Sequence, residues 1–218
     1  MVINFFGRRG SGKTTAIRGN LKYCRPPILV IDVLGNFASS DYIQCTSVEE
    51  VIDHVKNYIR FRTTNPNSPI RPGYPVIVLR TGNPSLAADY LSSTIWKIEG
   101  GTLVLDEVDA IQMKEGSCFD EYIRYGRNHK GDLITGCRRP AELDRNITAA
   151  ANKFYCFSTH EYRDIEYFSQ SVFGDRAIEL QSLPKYTGLF IDYDKHVIGT
   201  FKIDINGNIY HTTESSLD

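Results

Sequence analysis

Residues 7 to 14 read Gly7-Arg8-Arg9-Gly10-Ser11-Gly12-Lys13-Thr14, and this run constrains the chain more than any other. It satisfies the pattern G-x-x-x-x-G-K-[ST] at every specified position. The apolar segment Val2–Phe6 precedes it and the helix-compatible segment Thr14–Leu21 follows, so it sits at a strand–loop–helix junction. Glycines let a backbone curl without Cβ clashes and turn successive N–H groups toward an anion. The helix N-terminus adds its partial positive charge. Lys13 can then bridge the β- and γ-phosphates, and the Thr14 hydroxyl can ligate Mg²⁺. Every residue from Gly7 through Thr14, with Thr15 after them, is an expected contact of a bound nucleotide.

A second feature fits the first. Thr102-Leu103-Val104-Leu105-Asp106-Glu107 is an apolar strand ending in two carboxylates. Open α/β sheets place their sites at the carboxyl ends of strands, beside such a loop. There Asp106 would hold Mg²⁺ through water, and Glu107 would orient a water molecule or take its proton. The second acid bears on the reaction class, because a kinase keeps water away from the γ-phosphate whereas a hydrolase activates it. Asp32-Val33-Leu34-Gly35 also fits the D-x-x-G of GTPases. The guanine-reading N-K-x-D is missing, however, since Asn152-Lys153-Phe154 leads to Tyr155.

Short β-branched runs alternating with helical segments predict an α/β fold with a mostly parallel sheet flanked by helices. The expected strands are Val2–Phe6, Ile28–Asp32, Val76–Arg80, Thr102–Asp106, Asp132–Gly136 and Lys153–Phe157. Ser47-Val48-Glu49-Glu50 is a capping box, after which Val48, Val51, Ile52, Val55, Tyr58 and Ile59 share one helical face. Pro84 opens a second helix that Leu91, Ile95 and Ile98 carry inward. Further helices are expected after Pro140, with Leu143, Ile147 and Ala151 four apart, and over Glu161–Phe173. The proline-rich stretch Thr63–Tyr74 is expected to be a loop. From Gly188 the period changes to two, giving short strands Leu189–Tyr193, His196–Ile205 and Asn208–His211 with a tight turn at Asn206-Gly207. Phe201, Ile203 and Ile205 should face one way. The organisation is therefore a P-loop domain over 1–185 with a C-terminal antiparallel β-hairpin appendage over 186–218.

Composition excludes several classes. With 41% hydrophobic and 23% charged residues the chain is neither disordered nor fibrous. A net charge of −1, from 25 basic and 26 acidic residues, rules out a whole-protein attraction to nucleic acid or anionic lipid. Such contacts must come from local patches; Arg60, Arg62 and Arg71 around the proline-rich loop are candidates for DNA phosphates. No apolar run reaches the roughly 18 residues of a membrane span, and Met1–Phe6 lacks the basic leader of a signal peptide. Cys24, Cys45, Cys118, Cys137 and Cys156 are dispersed and form no Cys-x-x-Cys, so buried, reduced thiols and a cytoplasmic setting are expected.

Between the acidic pair and the C-terminus lie Arg124, Arg127, Arg138, Arg139 and Arg145. Hydrolysis spreads negative charge over the γ-phosphoryl group, which an arginine from a neighbouring subunit can stabilise. Arg127 follows Gly126, where a flexible glycine would let it project.

The order of these motifs resembles a known family. The phosphate loop is followed by Asp32-Val33-Leu34-Gly35-Asn36-Phe37 and then Leu103-Val104-Leu105-Asp106-Glu107-Val108-Asp109-Ala110. Next come Arg124-Tyr125-Gly126-Arg127-Asn128-His129 and Leu133-Ile134-Thr135-Gly136-Cys137-Arg138-Arg139-Pro140-Ala141-Glu142-Leu143. Over roughly residues 1–175 this is similar to the FtsK/HerA superfamily of DNA-pumping ATPases, and in size to the compact genome-packaging ATPases of tailless, internal-membrane viruses. The resemblance implies a RecA-like (ASCE) P-loop NTPase that assembles into a ring, expected as a hexamer, around double-stranded DNA at a capsid vertex or portal. It implies Lys13 and Thr14 as nucleotide and Mg²⁺ ligands, Glu107 as catalytic carboxylate and Arg127 as the finger acting in trans. Where the family places a Gln as γ-phosphate sensor, this chain has Arg138, so the finger and sensor roles are open among Arg127, Arg138 and Arg139. Two other readings stand beside this one. A small-molecule kinase would use Arg138, Arg139 and Arg145 as a mobile lid, and a phage-type assembly protein would bind nucleotide without needing to turn it over.

Overall fold

The computed structural model describes residues 1–69, 71, 73–140 and 143–216, with 214–216 as backbone. Pro72, Ala141 and Glu142, which belong to the expected loop and to the arginine-block motif, lie outside the described residues. The chain divides into two compact units. The first comprises Met1–Asn20, Glu107–Asp109 and Thr135–Asp218, the second Leu21–Asp106 and Ala110–Ile134.

The first unit contains β1 (Val2–Phe6), α1 (Lys13–Asn20), the end of β6 (Gly131–Cys137), α5 (Arg145–Ala149), β7 (Lys153–Phe157), α6 (Tyr162–Phe168), β8 (Thr187–Asp192), β9 (Val197–Ile203) and β10 (Ile209–Ser216). Its strand order is β10-β9-β8-β7-β1-β6. β1 and β7 run parallel, Phe5 beside Tyr155 and Phe6 beside Cys156, and the three strands after β7 are antiparallel. Alternation sends Phe5 and Phe6 to opposite faces, each into an aromatic cluster. Phe5 stacks on Tyr155 at 4.9 Å, whereas Phe6 meets Phe154 at 5.9 Å and Phe168 at 5.5 Å. Buried Asn4 accepts from the Thr135 hydroxyl at 2.7 Å and donates to the Ile147 carbonyl at 3.2 Å, so this polar group in β1 is satisfied. The strand that launches the phosphate loop is thereby fixed from both sides.

The second unit contains β2 (Ile28–Asp32), β3 (Ile43–Cys45), α2 (Val48–Thr64), β4 (Val76–Arg80), α3 (Pro84–Ile98), β5 (Gly101–Asp106), α4 (Cys118–Tyr125) and the start of β6. The order is β6-β5-β2-β4-β3. β2, every residue of which is buried, pairs in parallel with β4 and β5. That explains its unbroken apolar sequence, since a strand covered on both faces has no reason to alternate. The capping box at Ser47 is formed, and Asn83 caps α3 with Pro84 in its first turn. The α/β class, the parallel pairing and the C-terminal antiparallel run all match expectation.

Several expectations are corrected. After Pro140 the helix is only Arg145–Ala149, capped by Asp144; Leu143 precedes it and Ala151 follows it, so of the expected face only Ile147 is inside the helix. Glu161–Phe173 is α-helical to Phe168 and then widens into a π-helical turn over Ser169–Phe173. The β9–β10 connection is longer than a two-residue turn, because the Asp204 carboxylate accepts from the amides of Asn206 and Asn208, both at 2.9 Å. This leaves Ile205 outside the strand and 92% exposed, off the face that Phe201 and Ile203 share. Cys118 is exposed while the other four cysteines are buried. Burial pushes the thiols of Cys24 and Cys45 up to about 12 and about 11, so they stay protonated at neutral pH. No described helix is long and apolar enough to cross a membrane.

The hairpin loop docks on α1 through Gly207, whose φ is +78° and whose added Cβ would overlap the Thr15 carbonyl oxygen. Gly207→Ala therefore strains the backbone and forces the loop off the helix, costing about 2 kcal/mol or more. A melting point roughly 4–8 °C lower is expected; an unchanged melting curve would show that this docking contributes nothing to stability.

Candidate functional site

The loop that leaves β1 has the backbone its sequence requires. Gly10 and Gly12 have φ of +77° and +109°, a region that favours glycine. A Cβ on Gly10 would meet nothing within 4 Å, whereas one on Gly12 would come within 2.6 Å of Ile203 Cδ1 and 3.1 Å of Tyr186 Cδ1. The loop is thus open at Gly10 and walled at Gly12. Lys13 is buried, its ammonium donating to the Gly7 carbonyl at 2.6 Å. Ser11 is buried too, and its hydroxyl has no hydrogen-bond partner among the described residues. An orphaned hydroxyl in a glycine cradle beside a buried ammonium suits an anion with several oxygens, so the residues present fit a triphosphate.

Glu107 belongs to the same unit. Its φ is +92°, a genuine outlier for a long side chain, which costs on the order of 1–3 kcal/mol. Two contacts hold it there. Its N–H donates to the Gly136 carbonyl at 2.9 Å, and its carboxylate forms an ion pair with the Arg138 guanidinium at 2.7 Å. Partial burial raises the Asp109 carboxyl above its usual range; Glu107 adds to this, and Arg138 and Lys13 oppose it. Lys13, Glu107, Asp109 and Arg138 therefore share one electrostatic neighbourhood. Asp109, the second acid of this group, was not among the expected site residues, although it stands only two positions beyond Glu107.

In the second unit Asp106 is buried at the end of β5, and its Oδ2 accepts from the Asn36 amide at 3.3 Å. Asn36 is placed by Asp32, whose carboxylate accepts the N–H groups of Gly35, Asn36 and Phe37 at 2.8–2.9 Å. The Asp-x-x-Gly at 32–35 is accordingly a backbone clamp that aims Asn36 at the acid. Sequence alone left that motif with two meanings.

The arginines separate into classes. Arg124 is tied to Asp120 on its own helix at 2.8 Å. Arg62 donates to the Ser68 carbonyl at 2.6 Å, and Arg71 lies 5.5 Å from the centre of the Tyr74 ring. Arg127, in a 3₁₀ turn over Gly126–His129, is exposed, as are Arg8, Arg9, Arg60, Arg139 and Arg145. Of the three candidates for finger or sensor, Arg138 is paired with Glu107 within one chain.

The fold itself has solved counterparts. The genome packaging NTPase B204 from Sulfolobus turreted icosahedral virus 2, in complex with ATP-gammaS, superposes with a TM-score of 0.67 at 16% identity, covering 91% of this chain and 95% of that one. This chain shares the fold of that protein. B204 from Sulfolobus turreted icosahedral virus, a DNA-packaging ATPase, gives 0.65 at 16% identity over the same shares. A structure of Thermomonospora curvata EccC (ATPases 2 and 3) gives 0.51 at 11% identity, covering 99% of this chain and 37% of that one. No protein-family profile and no curated protein matches the sequence. The resemblance expected from the motif order is present as a shared fold.

Proposed function

We propose that the chain is an ATP-hydrolysing, double-stranded DNA translocase, a viral genome-packaging motor that works as a ring, with a hexamer the expected assembly. The observation that carries this is the strained Glu107, paired with Arg138 in the unit that bears the phosphate loop. A strained acid beside a buried ammonium and an arginine serves hydrolysis better than phosphoryl transfer to a metabolite. The likeness of fold to two packaging NTPases supports the substrate and the task.

Lys13, Ser11 and the loop amides hold the triphosphate. Thr14 and Asp106 are the residues that would hold Mg²⁺, which when bound neutralises charge on the phosphate oxygens. Glu107 accepts the proton of the attacking water as its oxygen bonds to the γ-phosphorus and the bond to the β–γ bridging oxygen breaks. Arg138 is shared by two anions. Drawn toward the γ-phosphate it releases Glu107, so the acid becomes free only when a triphosphate is in place. Arg127, exposed on its turn, is the finger offered to a neighbouring subunit's nucleotide. Arg60, Arg62 and Arg71 supply backbone contacts to DNA, and the motor docks on a capsid vertex or portal protein in the host cytoplasm.

The test is ATP turnover with and without duplex DNA, alongside mass by light scattering. Turnover should rise on assembly and with DNA, and the DNA effect should weaken steeply with salt. Phosphate transfer to a small molecule by a monomer would instead establish a kinase, and nucleotide binding without turnover an assembly protein.

A further inference from the structure

The phosphate loop has two flanks within its unit, and they differ in chemistry. One carries Glu107 and Arg138, beside Gly136 at the end of β6. The other is built by the C-terminal segment. There Ile203 and Tyr186 wall Gly12, and the 204–208 loop rests on α1 at Thr15. Two apolar side chains on this second flank stay in water. Ile205 is 92% exposed and Tyr186 is 43% exposed.

Tyr186 is not there by default. Its φ is +66°, an unfavourable region for an aromatic residue, and the Ile203 N–H donates to its carbonyl at 3.0 Å. The strand thus fixes a backbone that displays the ring beside the loop. Exposed Lys185 stands 4.6 Å from the ring centre, a solvated cation on a face that a flat group can take over.

A nucleoside triphosphate is a linear molecule with a flat, largely apolar base at the end opposite its γ-phosphate. If Glu107 and Arg138 face the γ-phosphate, the base falls on the opposite flank. We propose that Tyr186 and Ile205 form the nucleobase platform, the ring stacking on a purine and Ile205 covering its edge. This rests on the reading of Gly7–Thr15 as the triphosphate site.

The test compares binding of ATP with binding of inorganic tripolyphosphate, which has the charge and no base, by calorimetry on the full chain. Tyr186→Ala should weaken ATP roughly tenfold, the loss of one base–aromatic stack, and leave tripolyphosphate within twofold. Tyr186→Phe should restore ATP binding. Ile205→Ser, at a residue too exposed to affect folding, should weaken ATP about threefold and tripolyphosphate not at all. Equal loss of both ligands in Tyr186→Ala, or ATP binding unchanged in both Tyr186→Ala and Ile205→Ser, overturns the platform while leaving the phosphate site standing. Failure of the unaltered protein to bind either ligand overturns the phosphate site, and the platform with it.

Discussion

Glu107→Gln is expected to lower the turnover number for ATP hydrolysis by about 10²–10⁴-fold, the usual contribution of a positioned general base. Nucleotide affinity should stay within a few fold, because the amide keeps the shape and the N–H bond to Gly136 that holds the backbone. What the amide loses is the ability to take a proton and the charge that pairs with Arg138 at 2.7 Å. Arg138 serves as the control. Arg138→Ala frees Glu107 but removes a charge from the γ-phosphate, so turnover should fall by a smaller factor and KM for ATP should rise. The two effects should not add in the double variant, because the residues act through one ion pair. Single-turnover hydrolysis and equilibrium binding separate these quantities. Turnover in Glu107→Gln equal to that of the unaltered protein would remove Glu107 from the chemistry.

How much of this was legible beforehand depended on the range of the interactions. The turn between β1 and α1 was readable because Gly10 and Gly12 answer to local backbone chemistry, with φ of +77° and +109°. β2, β4 and β7 have the bounds expected of them, since an apolar run between turn residues leaves a buried strand little choice. α4 was missed although its signals are present, with Ser117 as cap and Phe119, Tyr122 and Ile123 at helical spacing. Its eight residues sit between glycines, where a loop is the cheaper reading. β3, three residues long, is too short to announce itself. The long-range arrangements had no signal at all. That Arg138 meets Glu107 depends on how β6 ends beside the turn after β5, and that Tyr186 and Ile203 wall Gly12 depends on β7, β8 and β9 falling into antiparallel register. The clamp at Asp32 lies between these cases. Its own loop supplies every hydrogen bond it accepts, yet an acid followed by Gly three residues later has more than one use.

Lys13→Ala should impair binding and chemistry together, which distinguishes it from Glu107→Gln. The Lys13 ammonium is buried and donates to the Gly7 carbonyl at 2.6 Å, so the charge is already desolvated and aimed along the loop. A preorganised cation in such a place is worth far more than one in water. Its removal is expected to reduce hydrolysis at least 10²-fold and to weaken triphosphate binding about tenfold or more. The folded chain should tolerate the change, because the lost side chain leaves the glycine backbone intact. Ligand-induced stabilisation gives the readout. A nucleotide at 100 times its Kd stabilises the unaltered protein by about 2.7 kcal/mol, and the same concentration should move the melting point of Lys13→Ala far less. Lys13→Arg should not rescue, since a guanidinium is planar and too broad for a site fitted to an ammonium within hydrogen-bond reach of Gly7. If Lys13→Ala kept both the nucleotide-induced shift and the turnover, the loop at Gly7–Thr15 would not be where the triphosphate binds. The roles of Glu107, Arg138 and Tyr186 would then all have to be assigned anew, because each was placed by reference to it.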